Sequence, residues 1–369
     1  MRLLFTTTGQ AGHVLPLVPL ARACLRAGHE VRVAAPRSRG GVIERAGLPF
    51  WAFDDPPADE VWAVFEPTAA MGPDEANAVV VGEIFGRLAA GAAFPGLLEL
   101  ASAWRPDMIV RESYEFGSVL VAERLGIPYV RVATGLASTE EWLLGLAGFD
   151  RVRAAPYLSM TPPGLDDGAA SHRFREQPPI AVRRMGEPLV YVTFGSVAAG
   201  MPLFPSLYAA ALEALADVPA RVLLTIGEHA DAGALGTLPA NVRVERWVPQ
   251  DEILREAALV VCHGGYGTTA GALAHGVPLV VVPVFADQGR NARRVAEIGA
   301  GIAMPQPASI VAAAAEPPAG LGDAVTRVLD EASFREAAWR VAESARALPP
   351  IDAAPPVLEA IAGVRRLAA

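Results

Sequence analysis

Leu259-Val260-Val261-Cys262-His263-Gly264-Gly265-Tyr266-Gly267-Thr268-Thr269-Ala270-Gly271-Ala272-Leu273-Ala274-His275 reads as a buried strand, a glycine-rich turn and a helix. The strand is 259–262 and the predicted helix 270–275. Glycines let backbone amides approach a ligand with no Cβ in the way. Amides at a helix start carry partial positive charge, and the Thr268 and Thr269 hydroxyls add donors. The turn is a candidate diphosphate cradle that needs neither metal nor lysine.

The same pattern recurs outward from this turn. At the N-terminus, Leu3 to Phe5 is a short strand, Gly9-Gln10-Ala11-Gly12 breaks it, and Pro16 to Ala27 has helical spacing ended by Gly28. Strands follow at Val31 to Ala35, Met108 to Val110 and Tyr129 to Val132, with a helix over Val119 to Leu125. The composition then shifts between residues 161 and 188, where Thr161-Pro162-Pro163-Gly164, Pro178-Pro179 and Gly186-Glu187-Pro188 cluster. Past it the alternation restarts, with strands at Leu189 to Phe194, Arg221 to Ile226, Val242 to Glu245, Leu259 to Cys262 and Leu279 to Val282. A helix is predicted over Leu203 to Ala216.

Strands alternating with helices imply parallel sheets, so the fold class is α/β with two doubly wound halves in tandem. The expected boundaries are 1–175, a linker at 176–188, a second half at 189–354, and a C-terminal helix at 355–369 placed to pack back on the first half. Two facing sheets of this kind form a cleft, with ligands at the carboxyl ends of the strands.

Composition removes several classes. The net charge of −9 argues against nucleic acid as a partner. All 31 Lys and Arg residues are arginine, which excludes a P-loop and a Schiff-base lysine. Cys24 and Cys262 are expected to be small buried hydrophobes. No apolar run approaches 18 residues, so no membrane span and a cytoplasmic location are expected. No histidine has metal-ligand spacing, and Asp54-Asp55 and Asp166-Asp167 read as loop pairs. His29, His172, His229 and His275 read as loop or helix-end residues.

The spacing around the cradle sharpens its reading. Trp247-Val248-Pro249-Gln250 lies one strand and one short helix before it, where an indole can stack on a base. Asp287-Gln288 follows the next strand, where a carboxylate and an amide can hold sugar hydroxyls.

The segment from Trp247 to Gln288 resembles the donor box of family 1 glycosyltransferases, two residues shorter between Gln250 and His263. The resemblance implies a GT-B fold, two facing Rossmann-like domains with the donor in the second. It implies that Trp247 and Val248 meet the base, and that His263, Gly264, Gly265, Gly267 and Thr268 bind the diphosphate. Ser196, in Phe194-Gly195-Ser196, matches a further phosphate-contacting turn, and Asp287 and Gln288 would touch the sugar. One departure bears on the nucleotide. Where plant members hold both ribose hydroxyls with a glutamate, this chain has Gly271. A thymidine diphosphate sugar is therefore favoured over a uridine one, as in bacterial enzymes of natural-product and antibiotic biosynthesis.

His13, in Gly9-Gln10-Ala11-Gly12-His13-Val14-Leu15-Pro16, sits in a strand-end loop that faces the same cleft. An imidazole there can accept a proton from a hydroxyl at neutral pH. The arrangement resembles the family's catalytic loop, which implies His13 as general base. The family's orienting aspartate follows a strand of the first half; here Glu112 holds that place, one methylene longer, with Glu115 as the substitute. Gly12, Phe65, Phe85, Tyr114 and Trp142 are candidates for an apolar acceptor site, with Trp62, Phe116 and Phe149 in the same aromatic set.

The expected reaction is inverting, metal-independent and cofactor-free transfer of a sugar to a small hydrophobic acceptor. The partners are that acceptor, a nucleotide-sugar donor and, for assembly, at most a second copy in a homodimer. The rival readings are a uridine-nucleotide transferase or epimerase of the same fold, and a non-catalytic sugar-nucleotide-binding auxiliary protein.

Overall fold

The computed structural model describes residues 1–136, 152–166, 168, 170–176, 186–195, 198–201, 203–228, 230–315 and 318–368. Ser196, Trp142, Phe149, His229 and Asp167 lie outside the described residues.

Two all-parallel sheets carry the chain. The first contains β1 (Arg2–Thr6), β2 (Glu30–Pro36), β3 (Phe50–Phe53), β4 (Met108–Glu112), β5 (Tyr129–Val132), β6 (Tyr157–Ser159) and β7 (His172–Arg173), in the order β3-β2-β1-β4-β5-β6-β7. The second contains β8 (Leu189–Thr193), β9 (Arg221–Thr225), β10 (Val242–Glu245), β11 (Leu259–Cys262), β12 (Leu279–Val281) and β13 (Gly301–Ala303), in the order β10-β9-β8-β11-β12-β13. The strand order reverses between β1 and β4 and again between β8 and β11. Crossovers leave those strands toward opposite faces, and a crevice opens at each switch point.

The near-continuous apolar runs follow from burial on both faces. Leu3 and Phe5 enter one core cluster while Leu4 enters the opposite one with Ile109. In the second sheet Val190, Val192 and Val261 pack on one side, and Tyr191, Val260 and Cys262 on the other. Cys24 and Cys262 are both free and buried, as their small apolar character predicts.

The predicted strands are present. Phe50–Phe53, Tyr157–Ser159, His172–Arg173 and Gly301–Ala303 join them as short edge or near-edge strands. The cradle helix starts earlier than predicted, running over Tyr266–Ala274, with Gly265 as its N-cap. Thr268 and Thr269 are therefore inside its first turn rather than ahead of it.

One long helix, Pro73–Trp104, is long and apolar enough to cross a membrane by length and composition alone. Few charged residues fall in its most apolar stretch, so the mean hydropathy there reaches 1.4. Its Val81, Ala93, Leu97, Leu100 and Ala101 pack with Leu4, Ala34 and Ile109 of the first sheet. Val80–Ala89 within it is wound as a π-helix.

The terminal helix, Ala354–Ala368, packs back on the first half. Ala354, Leu358 and Ala362 share a cluster with Leu20, Cys24 and Val31. His29 joins the ends, with the Met1 amine 3.1 Å from its Nδ1 and Glu359 Oε1 3.3 Å from its Nε2.

Candidate active site

His13 follows β1 in a short helix, Ala11–Val14, and Glu112 is the last residue of β4, its neighbour in the sheet. The two therefore meet at the switch point of the first half. His13 Nδ1 lies 3.1 Å from Glu112 Oε1. The carboxylate is fully buried and held from several directions. Its Oε1 accepts the Thr8 N–H at 3.2 Å, and its Oε2 accepts the Tyr114 N–H at 2.6 Å and the Thr134 hydroxyl at 3.5 Å. These bonds take up the longer arm of glutamate.

The loop after β4 is fixed from beneath. Arg111, fully buried, donates through Nε to the Glu115 carbonyl and through Nη2 to the Ser113 carbonyl, both at 2.7 Å. Glu115 does not partner His13. Its carboxylate accepts the Ser118 N–H at the start of the helix Gly117–Leu125. Burial pushes its pKa up.

Charge and burial oppose each other at the pair. Desolvation is the largest single influence on His13 and lowers its pKa, but the Glu112 charge and hydrogen bond, with a further pull from Asp287, leave it raised. Glu112 is likewise desolvated, which raises its pKa. His13, the Tyr114 N–H and Arg111 together leave it below the usual carboxylate range.

Aromatic rings flank the imidazole. Phe85 lies 5.6 Å away and Tyr114 5.7 Å away between ring centroids, and the two rings are 5.8 Å apart. Phe85 comes from the π-wound stretch of the long helix. Phe65 is not in this group; it pairs with Trp62 at 6.2 Å on the helix Ala58–Thr68. Gly12 is exposed, and a Cβ there would meet nothing within 4 Å.

Across the cleft, His263 follows β11 at the second switch point. Its ring is slotted between Gly195 and Gly265. A Cβ on Gly195, whose φ is +81°, would lie 2.7 Å from the ring, and one on Gly265 would collide with Nε2. Burial pushes the His263 pKa down to about 4, against an opposing pull from the Thr193 backbone. His263 is thus a neutral hydrogen-bonding group, not a cation, at neutral pH. Gly264 has φ +86°, and a Cβ on it would lie 2.7 Å from Val281 Cγ1. A Cβ on Gly267 would enter open space, so packing does not demand glycine there. Thr268 Oγ1 accepts from Gln250 Nε2 at 3.2 Å.

Trp247 is 66 % exposed, a large apolar ring left in water. Val248 packs into the core beside it. Asp287 caps the helix Gln288–Glu297 and lies near enough to His13 for each charge to be felt by the other. Burial raises the Asp287 pKa. Asn291 Nδ2 donates to Asp287 Oδ2 at 2.9 Å and to the Gly264 carbonyl at 2.8 Å, tying the Asp287 turn to the cradle. Gln288 is buried, and its Oε1 accepts the Val284 and Phe285 N–H groups at 2.8 and 2.9 Å. In this structure that oxygen shapes the loop that carries Asp287.

The geometry therefore brings together His13, Glu112, Phe85 and Tyr114 on one wall. His263, the glycines, Thr268 and Asp287 lie on the other. Asn291, Arg111 and Thr8 hold these groups and carry no motif, so only their folded neighbours reveal them; Gln250 was visible only as the end of the Trp247 motif, not as the partner of Thr268.

Two domain families described as erythromycin biosynthesis protein CIII-like match the chain, the N-terminal domain over residues 22–147 and the C-terminal domain over 209–360. The chain belongs to this family of glycosyltransferases. It is 32 % identical over 330 residues to the L-demethylnoviosyl transferase of Streptomyces niveus, covering 83 % of this chain and 85 % of that protein. It is similar in structure to the glycosyltransferase SnogD from Streptomyces nogalater, with TM-score 0.74, 30 % identity and 98 % and 99 % of the two chains covered. It is also similar to the Streptomyces sp. SF2575 glycosyltransferase SsfS6, solved with thymidine diphosphate, at TM-score 0.75 and 26 % identity over 97 % of this chain and 99 % of that one. The fold is accordingly GT-B, and the enzyme moves a sugar from a nucleotide-sugar donor to an aglycone.

Proposed function

We propose that this glycosyltransferase moves a sugar, a deoxysugar included, from a thymidine diphosphate donor to a hydroxyl of a small apolar aglycone, with inversion and without a metal. The observation that carries the reading is the His13 to Glu112 contact of 3.1 Å at the first switch point, facing the Asp287 turn of the second half.

In this mechanism Glu112 fixes the imidazole, so that Nε2 takes the proton from the acceptor hydroxyl. Phe85 and Tyr114 supply an apolar wall for a flat acceptor. The freed oxygen attacks the anomeric carbon opposite the leaving diphosphate, which inverts the configuration. Asp287 receives sugar hydroxyls. The first-turn amides of Tyr266–Ala274 stabilise the departing diphosphate, a charge role that fixed dipoles fill in place of a cation. The open space in front of Gly267 suits a phosphate close to the backbone.

Gly271 supports thymidine over uridine. The groups nearest to a Cβ there are Leu254 Cδ1 at 3.5 Å and Gln250 Oε1 at 3.8 Å, and neither is a carboxylate for a 2′-hydroxyl. The thymidine diphosphate bound by SsfS6 points the same way.

The test is single-turnover transfer from thymidine and uridine diphosphate sugars to a panel of aromatic and polyketide-like acceptors, with a chelator present and absent. The anomeric configuration of the product is read by NMR. Retained configuration, loss of activity with the chelator, or unchanged turnover in His13→Ala would each overturn the mechanism.

A further inference from the structure

Asn77 is a buried polar side chain with no part in the mechanism above. It sits near the start of the long helix in the first half and is 9 % exposed. Its Nδ2 donates across the cleft to the Ala286 carbonyl at 2.8 Å. Ala286 has φ +54°, a left-handed conformation that a residue with a Cβ keeps only where its surroundings hold it. The next residue is Asp287. Close by, Asp74 of the same helix meets Arg290 at 3.4 Å, so a second contact joins the same two segments.

One helix thus serves both substrates. Pro73–Trp104 presents Phe85 to the His13 ring and, about two turns earlier, Asn77 to the turn that carries Asp287. The reacting oxygen and the anomeric carbon would be held on different halves, and transfer requires them within about 3.5 Å in the correct line. Gln288 and Asn291 fasten the Asp287 turn only to its own half. Asn77 fastens it to the half that carries the base.

We propose that Asn77 is a positioning residue whose amide holds the Ala286 turn, and with it the donor sugar, in register with His13. This rests on the reading of Asp287 as the sugar-facing group. Without the tie the donor still binds through its nucleotide, but its sugar is no longer aligned with the acceptor. Water then competes for the anomeric carbon, giving free sugar and the nucleoside diphosphate.

The experiment compares the wild type with Asn77→Asp, which keeps the shape and removes the N–H donors, and with Asn77→Leu. Three quantities are read: transfer kcat, the share of donor lost to hydrolysis, and the dissociation constant of thymidine diphosphate, which has no sugar. The expected result is a fall in kcat of about tenfold and a larger hydrolysed share, with thymidine diphosphate binding within about twofold of the wild type. Ala286→Val, whose branched Cβ disfavours the left-handed turn while Asn77 stays intact, moves the partition in the same direction. It keeps the test open if neither Asn77 variant folds. An unchanged partition, or a loss of thymidine diphosphate binding as large as the loss of kcat, would overturn the proposal. Asp287→Asn separates the two layers. If it leaves sugar transfer and donor KM unaltered, the reading of Asp287 falls and takes the role of Asn77 with it. If Asp287→Asn impairs transfer while the Asn77 variants do not, only the role of Asn77 falls.

Discussion

Glu112 closes β4 with one carboxylate oxygen 3.1 Å from His13 Nδ1 and the other 2.6 Å from the Tyr114 amide nitrogen. A side chain so held sets both the tautomer and the direction of the imidazole. Glu112→Gln keeps the shape and removes the charge, so kcat should fall by about 100-fold with donor and acceptor saturating. Glu112→Asp should fall less, because the charge remains while the shorter arm cannot reach His13, Thr8 and Tyr114 together. Steady-state kinetics on both variants checks the order.

The pH dependence follows from the raised pKa of His13. A general base must be neutral, so kcat should drop as pH falls through that raised value. In Glu112→Gln the acid limb should move to lower pH, since the charge that favours the imidazolium is gone. The linkage to stability has the opposite sense. Protonated His13 contributes stability that is complete below its ordinary value of 6.5 and is lost as pH rises through the folded value. Glu112, with its lowered pKa, contributes above its ordinary value of 4.5 and loses that contribution as pH falls. Urea denaturation across pH, for the wild type and His13→Gln, reads the first of these.

Much of this site was legible before folding, for a definable reason. His13 and His263 follow strands and Glu112 ends one, and parallel α/β sheets send strand ends to one crevice. Period and punctuation placed His13 and His263 at strand ends, while the resemblance to the glycosyltransferase family singled out Glu112 and gave His13 its role. What the sequence hid were contacts between segments far apart. Nothing around Asn77 marks it as the partner of Ala286, 209 residues away. Phe65 and Phe85 look equivalent as aromatic residues, yet only Phe85 is turned toward His13. The short strands His172–Arg173 and Gly301–Ala303 lack a run long enough to show a period.

Gly271 offers a gain-of-function test. Its neighbours stand 3.5 and 3.8 Å from the position a Cβ would take, so a larger side chain can enter. Gly271→Glu restores a carboxylate beside the proposed ribose site. The ratio of kcat/KM for uridine over thymidine diphosphate donors should rise by about tenfold, the worth of one added hydrogen-bonded pair. An unchanged ratio would place the source of nucleotide preference elsewhere.

Gly195 is required by the His263 ring. With φ at +81° and a Cβ only 2.7 Å from the imidazole, Gly195→Ala strains the backbone and displaces the ring together. The backbone part alone should cost about 2 kcal/mol of stability. Thymidine diphosphate affinity should fall as well, because His263 leaves the cradle. Between pH 6 and about 8 the wild-type affinity should show no step from His263, whose pKa of about 4 keeps it neutral throughout. Calorimetric titration of the nucleotide at several pH values measures both.

The last helix belongs energetically to the first half. Leu358 is fully buried among Leu20, Cys24 and Val31 of the first half. Leu358→Ala leaves a cavity there and should cost about 2 to 5 kcal/mol. The loss should appear in the unfolding of the N-terminal half, although the mutated residue follows the whole donor half. Thymidine diphosphate distinguishes the two. It should still protect the second half against heat in Leu358→Ala, while hydrogen exchange in β1 and β2 accelerates. Faster exchange confined to β8 and β11 would show instead that the helix supports the donor half.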